Sequence, residues 1–341
     1  MFVDRWDSDI FESKETRDKI FDDLKNKLEI LPHPYTGWRS RPNQKLDTIS
    51  INKNGLRNTD IEMEDKTIKN CFILGGSVAW GFGASSNEKI PSVLIEKTLK
   101  DDHKININII NLADQGYTSF EELNSFLSAF EELKPSMVIM LSGVNDVVLE
   151  MNGEYKSEAV EWMNSYLWMK KLGIFRETNF IKLISKVLLR SYKKKEVINP
   201  EFFYFNKPNR NEICKFLYER KNDVIRTICE KNKIPVYNFL QPDLYFKEKK
   251  SNFETRYFNY LNNETCSNFI FIRDKMKQLE NFILRKEYDS KFFKNISLLN
   301  CFNDNEETIF MDRTHVGDKG NEIMSRKISS YIYNNQIELS N

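Results

Sequence analysis

A serine, a histidine and an aspartate in this 341-residue chain could form one nucleophilic site, although the serine lies far from the other two. Ser77 follows the apolar run 71–74 and two glycines, a pattern typical of a buried strand that ends in a sharp turn. A serine hydroxyl is a weak nucleophile until a base takes its proton. His315 could be that base, and Asp312 could orient its imidazole and stabilise the charged form. The residue types therefore predict a triad of Ser77, His315 and Asp312.

Attack by a serine on a carbonyl creates an oxyanion, which is stabilised by hydrogen-bond donors that are already in position. Three donors are candidates: the backbone N–H of Ser77, the backbone N–H of Gly116 and the side-chain amide of Asn145. Gly116 has no side chain, so its N–H could approach a substrate closely. We therefore predict that Ser77, Gly116 and Asn145 form an oxyanion hole.

The elements that would position these residues alternate between strand and helix. Apolar runs predict strands at 71–77, 105–111, 137–141, 234–240 and 296–302. Helical spacing of apolar residues predicts helices between and after them. This order indicates an α/β fold, a three-layer α/β/α sandwich with a parallel, flavodoxin-like sheet. Because the carboxyl ends of parallel strands share one edge, the candidate residues should meet there.

Two predicted insertions interrupt the alternation of strands and helices, and an N-terminal extension precedes it. Residues 1–69 are predicted to form an N-terminal extension with a helix, ended by Pro32 and Pro34, and a β-hairpin at Asn54–Gly55. Residues 70–336 would form the catalytic domain, with helical insertions at about 150–205 and 243–295. We expect the insertions to cover the site and to influence substrate choice.

Several polar residues have two possible interpretations. The spacing of Ser119 and Glu122 predicts a capping box at a helix start. Some basic residues could contact an anionic substrate, but solvated loops are favoured for them: Arg39, Arg41 and Arg57. Solvated positions are also favoured for the basic run Lys247–Lys250 and for two histidines in predicted loops, His33 and His103.

Composition limits the classes of function. Hydrophobic residues make up 40% and charged residues 30% of the chain, and the formal net charge is +1, so no nucleic-acid partner is indicated. We find neither a secretory signal pattern nor an apolar run of about 18 residues that could span a membrane. The five scattered cysteines include no CxxC pair, which favours a reducing, cytoplasmic location and argues against a structural zinc site.

Four short blocks carry a resemblance to a known family. They are Gly75–Ser77, Gly116 after Asn111–Gln115, Gly143–Asp146 and Asp312–His315. In this order they resemble the blocks of the SGNH (GDSL-type) hydrolase superfamily. The resemblance implies that Ser77, Gly116, Asn145 and His315 are the four residues that name the superfamily, and that Asp312 is the triad acid. Gly76 departs from the pattern, since the family often has aspartate there, but that aspartate is not a triad member.

Other glycine-rich motifs fit the sequence less well. The turn around Ser77 lacks the Gly-x-Ser-x-Gly elbow of α/β-hydrolases. No Gly-Lys-Ser/Thr follows the glycines, so a phosphate-binding loop is not indicated. Gly81 and Gly83 lack the third glycine of a dinucleotide-binding fingerprint.

The resulting hypothesis is a serine esterase that needs no metal or cofactor and acts on a small-molecule or carbohydrate ester, most simply an acetyl ester. The resemblance, rather than the spacing, implies a carbohydrate or small ester. One alternative is an O-acyltransferase that passes the acyl group to a sugar hydroxyl. Another is a non-catalytic carbohydrate-binding or assembly protein. The sequence leaves the oligomeric state open.

Overall fold

The centre of the fold is a sheet of five parallel strands. A computed structural model describes residues 9–57, 68–152, 212–264, 266–285 and 290–335. The sheet strands are β5 (Lys69–Gly75), β6 (Ile107–Asn111), β7 (Met137–Ser142), β8 (Val236–Leu240) and β9 (Phe293–Ser297), and their spatial order is β6-β5-β7-β8-β9. This is the flavodoxin-like order, so the predicted fold class is confirmed.

Helices lie on both faces of the sheet. They are α1 (Lys14–Asp22), α2 (Ser77–Trp80), α3 (Pro91–His103), α4 (Ser119–Leu133), α5 (Val144–Asn152), α6 (Ile213–Lys231), α7 (Asn252–Glu264), α8 (Cys266–Arg285) and α9 (Asp318–Asn334). None of these described helices has the length and apolar character that a membrane span needs.

Strands β7 and β8 are buried along their whole length, and β5 is buried from Cys71 onward, because both faces of the sheet are covered there. Along β5, Cys71 and Ile73 pack with α3 and α9, whereas Phe72 and Leu74 pack with α4 and α6. All four side chains are fully buried. The sheet therefore holds its carboxyl edge, where Ser77 follows β5, on a closely packed core.

The N-terminal region forms a helix and two small antiparallel hairpins, where the sequence predicted a helix and one hairpin. Helix α1 runs into a π-helical turn at Asp23–Lys27. Strand β1 (Ile30–His33) pairs with β2 (Gly37–Ser40), and β3 (Gln44–Lys45) pairs with β4 (Ser50–Ile51). Pro32 therefore lies inside a strand, opposite Trp38, and Asn54–Gly55 follows the second hairpin instead of joining its strands.

The capping box of α4 lies one residue earlier than the spacing predicted. Thr118 is the N-cap, and its backbone N–H donates to the Glu121 carboxylate at 2.9 Å. Ser119 is already the first helical residue, and its N–H and hydroxyl both donate to Asp146, each at 3.0 Å. The prediction that Ser119 begins the capping box is therefore wrong by one residue.

The predicted insertions are only partly described. Residues 153–211, which include almost all of the helical insertion expected at about 150–205, lie outside the described residues. In the second insertion, α7 and α8 are helical as expected. Strand β9 begins at Phe293, within the boundary given for that insertion, so the last strand lies earlier than the predicted 296–302.

Three basic residues that were expected in solvated loops lie instead in buried or helical positions. Arg57 is 1% exposed, and Lys247 is 1% exposed in an ion pair with Glu254. His103 is the last residue of α3, and its ring stacks on Tyr333 with centroids 4.3 Å apart. His33, the other histidine expected in a loop, ends β1.

Candidate active site

The turn that presents Ser77 depends on glycines. Strand β5 ends at Gly75, where a Cβ atom would lie 2.2 Å from the Leu141 carbonyl oxygen of β7. Gly76 is the N-cap of α2, and Ser77 is the first residue of this helix. At the other end of α2, Gly81 has φ +92° and its N–H donates to the carbonyls of Ser77 and Val78. The turn therefore holds Ser77 at the carboxyl end of a central strand.

Ser77, His315 and Asp312 form a continuous chain of hydrogen bonds. The Ser77 Oγ lies 2.7 Å from His315 Nε2. The His315 Nδ1 lies 2.7 Å from Asp312 Oδ2. The structure thus brings together three residues that the sequence analysis assigned to one site.

The ionisation of Asp312 determines the direction of each hydrogen bond. An ionised carboxylate can only accept, so His315 Nδ1 carries a proton and donates it to Asp312. In the neutral ring Nε2 is then the acceptor, and the Ser77 hydroxyl donates to it. This tautomer is the one that allows His315 to take the serine proton.

Asp312 is held as a carboxylate by its surroundings. Burial raises its pKa, but attraction to His315 in its protonated form and hydrogen bonds to the carboxylate outweigh burial, so its pKa lies well below the ordinary value. The backbone N–H groups of Thr314 and His315 both donate to Oδ1, at 2.9 and 2.8 Å. Asp312 is therefore a fixed acceptor with an assigned partner for each oxygen.

The segment that carries Asp312 and His315 lies close against the turn after Ser77. Gly83 has φ +88°, and a Cβ atom there would lie 2.7 Å from Met311 Sδ and 2.8 Å from the Val316 carbonyl oxygen. The Phe82 ring packs on the His315 ring with centroids 4.2 Å apart. A glycine at position 83 is thus needed for the base to reach the nucleophile.

Two of the candidate oxyanion donors, Gly116 and Asn145, lie next to Tyr117. Gly116 is the third residue of a turn closed by a hydrogen bond from Tyr117 N to the Asp114 carbonyl, and its φ of +75° suits a type II turn. Asn145 Nδ2 donates to the Tyr117 carbonyl at 2.8 Å. A Cβ atom on Gly76, next to Ser77, would lie 2.3 Å from that same Nδ2 and 3.2 Å from the Tyr117 carbonyl oxygen.

The backbone N–H groups at this point are available to a ligand. Within the described ranges, no hydrogen bond is assigned to the N–H of Ser77 or of Gly116. The first N–H groups of a helix have no partner inside the helix, which accounts for Ser77. Asn145 Nδ2 has a second hydrogen beyond the one donated to Tyr117. The Ser77 N–H, the Gly116 N–H and the Asn145 amide therefore remain the three candidate donors for an oxyanion.

Buried charges below this edge were not recognised from the sequence. Lys221 of α6 contacts the Glu122 carboxylate at 2.8 Å and the Ser142 hydroxyl at 2.9 Å, and both charged side chains are 1% exposed. Burial raises the pKa of Glu122 to about 7, and it also raises the pKa of Asp146. Asp146 joins α5 to α4 through Ser119. In the sequence, the position of Asp146 next to Asn145 was the one feature that pointed to a buried charge here. No sequence feature indicated that Lys221 is buried.

A second buried group supports the segment before His315. Glu254, which is fully buried, accepts hydrogen bonds from the backbone N–H groups of Ile309 and Phe310 at 2.9 and 3.0 Å. Arg313 lies 3.3 Å from Asp243, which follows β8. Helix α7 and the loop after β8 therefore help to hold the catalytic candidates, a role that their sequence did not indicate.

The three arginines considered as substrate contacts have protein partners instead. Arg39 donates to the Ser125 hydroxyl at 3.0 Å, and Arg41 pairs with Glu29 at 2.7 Å. Arg57 donates to the carbonyls of Gly81 and Thr48, and its guanidinium lies over the Trp80 ring. Within the described residues, no group of three or more histidine, cysteine, aspartate or glutamate side chains could hold a metal ion.

The chain is similar to several solved structures, although no family model and no curated protein matches the sequence. One is a lipase, Lip_vut3, from a goat rumen metagenome, at 16% identity and TM-score 0.44, with 80% of this chain and 100% of that chain covered. Another is described as a lipolytic protein of the G-D-S-L family from Desulfitobacterium hafniense DCB-2, at 11% identity and TM-score 0.38, with 77% and 98% covered. A third is Axe2, an acetylxylan esterase from Geobacillus stearothermophilus, at 14% identity and TM-score 0.36, with 80% and 96% covered.

Proposed function

We propose that the chain is a serine esterase that removes an O-acyl group, most simply acetyl, through an acyl-enzyme. The observation that carries this proposal is the hydrogen-bonded chain from Ser77 through His315 to Asp312, with both distances 2.7 Å. The amide of Asn145 beside Gly76 supports it, because an oxyanion formed at Ser77 would lie near a donor. The resemblance to SGNH hydrolases favours an acetylated carbohydrate or another small ester as the substrate.

Acylation begins when Ser77 Oγ attacks the ester carbonyl carbon and its proton passes to His315 Nε2. Asp312 stabilises the imidazolium that forms and does not itself take the proton. The carbonyl oxygen gains negative charge and accepts hydrogen bonds from Ser77 N–H, Gly116 N–H and Asn145 Nδ2. The bond to the leaving oxygen then breaks, and His315 gives that oxygen its proton. The alcohol leaves, and the acyl group stays on Ser77.

Deacylation repeats these steps with water as the nucleophile. His315 takes a proton from water while the water oxygen attacks the acyl carbon. The bond to Ser77 Oγ breaks, and His315 returns the proton to the serine. The carboxylic acid is released, and the site regains its starting protonation. A sugar hydroxyl in place of water would give acyl transfer by the same steps.

Covalent labelling tests the proposal directly. A fluorophosphonate should phosphonylate Ser77 and abolish hydrolysis of p-nitrophenyl acetate in proportion to labelling, since an activated serine attacks phosphorus as it attacks carbon. Peptide mass spectrometry identifies the labelled residue. An active chain labelled at another serine, or not labelled, would contradict the assignment. An acylated product in the presence of a sugar acceptor would assign the transferase reaction instead.

The pH profile should have a single acidic limb. Activity is expected to fall about tenfold per pH unit once His315 becomes protonated, because an imidazolium cannot accept the Ser77 proton. Asp312 has its pKa held well below the ordinary value, so it stays ionised along this limb and adds no second proton. The measurement is kcat/KM for p-nitrophenyl acetate from pH 4.5 to 8. A flat profile or a limb with a slope of two would contradict these roles.

A further inference from the structure

The N-terminal hairpin, formed by β1 and β2, makes direct contact with the turn 114–117. Trp38 Nε1 donates to the Gln115 carbonyl oxygen at 2.9 Å. The backbone N–H of Ser40 donates to the Asp114 carboxylate at 2.8 Å, and the Ser40 hydroxyl donates to the same carboxylate at 3.2 Å. The hairpin thus contacts the two residues that precede Gly116.

The contact of Trp38 bears on Gly116 because of peptide geometry. The Gln115 carbonyl and the Gly116 N–H belong to one peptide unit, which is planar and trans, so they point in opposite directions. A donor that fixes the carbonyl on one side of this plane therefore fixes the N–H on the other side. A glycine in a turn has wide rotational freedom, and without such a contact its peptide could tilt.

The indole itself has little freedom to move. Trp38 is 7% exposed, and its ring meets the Tyr117 ring edge-on with centroids 5.5 Å apart. The Tyr117 hydroxyl lies 2.8 Å from the Trp38 carbonyl oxygen and 3.0 Å from Thr36 Oγ1. The backbone carbonyl of Tyr117 also accepts the hydrogen bond from Asn145 Nδ2. The packing of Trp38 against Tyr117 therefore supports a second candidate donor of the site.

We propose that Trp38 is a positioning residue whose indole N–H holds the Gln115–Gly116 peptide so that the Gly116 N–H faces the oxyanion formed at Ser77. This inference rests on the proposed esterase function. A hydrogen bond to the carbonyl also polarises the peptide, which strengthens donation by its N–H. The N-terminal hairpin is then part of the catalytic apparatus, although it lies outside the four blocks of the resemblance.

Trp38→Phe removes the indole N–H and keeps an aromatic ring against Tyr117. We expect kcat for p-nitrophenyl acetate to fall roughly tenfold with KM within about twofold, because a misdirected donor weakens binding of the transition state more than that of the substrate. The inhibition constant of 1,1,1-trifluoroacetone, whose adduct with Ser77 carries an oxyanion, should rise by a similar factor. A role confined to folding would lower the melting temperature and leave this inhibition constant unchanged.

Arg41→Gln is the matched control, since it breaks an exposed ion pair with Glu29 in the same region and has no contact with the turn. It should keep wild-type kcat and inhibition. If Trp38→Phe does not fold, Tyr117→Phe removes the hydroxyl that joins the turn to Trp38, and kcat should fall about threefold at constant KM. If an active, folded Trp38→Phe variant keeps the wild-type kcat and inhibition constant, the inference about Trp38 is wrong, whereas the esterase proposal still stands. A wild-type chain without esterase activity and without Ser77 labelling would overturn both proposals.

Discussion

Ser77→Ala should abolish ester hydrolysis, with a loss of roughly 10⁴- to 10⁶-fold in kcat for p-nitrophenyl acetate. Alanine has no Oγ, so the acyl group has no acceptor and His315 Nε2 loses its partner at 2.7 Å. The substitution should not disturb α2, because Gly76 is the N-cap and alanine is a good helix former at position 77. Initial rates measured beside a melting curve separate lost chemistry from lost structure.

Ser136→Ala is a suitable control for this variant. Ser136 precedes β7 at the amino edge of the sheet, opposite the site, and its hydroxyl donates to the Asn70 carbonyl at 2.9 Å. The chemical change is the same, and the expected activity is that of the wild type. A Ser77→Ala chain that keeps more than about one hundredth of the wild-type rate would mean that another residue performs the attack.

The sheet and its site could be predicted because their signals are local. Most sheet strands contain a short apolar run, and polar candidates follow closely after runs such as 71–74 and 137–141. Strand β9, whose sequence is mixed, was the one placed too late in the chain. The topology of parallel strands then brings these ends to one edge without any knowledge of side-chain contacts. His315 could be paired with Asp312 because their spacing places both on one short segment.

Buried charge could not be predicted in the same way. Arg57 and Lys247 looked like solvated residues because their neighbours in sequence are polar. In the structure Arg57 is buried against carbonyl groups of Gly81 and Thr48, and burial lowers its pKa to about 9. The partners that make such burial tolerable come from distant segments, so sequence periodicity does not indicate them.

The support of the oxyanion donors was missed for a related reason. Trp38 lies in a short strand whose sequence, Gly37–Ser40, shows no link to the turn 114–117. An indole N–H needs a partner when it is buried, but which carbonyl it reaches depends on how two segments pack. Local sequence thus indicates candidate donors, whereas the contacts of Trp38 with the turn 114–117 become visible only in the packed fold.

Asp312→Asn should lower kcat about 10⁴-fold while leaving the fold intact. In the wild type, Oδ1 of Asp312 accepts two backbone N–H groups, from Thr314 and His315. An asparagine must keep its carbonyl oxygen at that position, which places its NH₂ group opposite His315 Nδ1. Two donors cannot face each other, so Nδ1 must become the acceptor and the ring proton must move to Nε2. His315 then offers a donor to Ser77 and can no longer take its proton.

The matched control is Asp318→Asn, the same change three residues after His315. Asp318 accepts hydrogen bonds from the N–H and the hydroxyl of Ser85 and has no assigned contact with the imidazole. Its activity should stay near that of the wild type. The melting temperature and the rate of p-nitrophenyl acetate hydrolysis are measured for both variants. If Asp312→Asn kept its rate within tenfold, the carboxylate would not be setting the tautomer of His315, and the base would have to be oriented by another group.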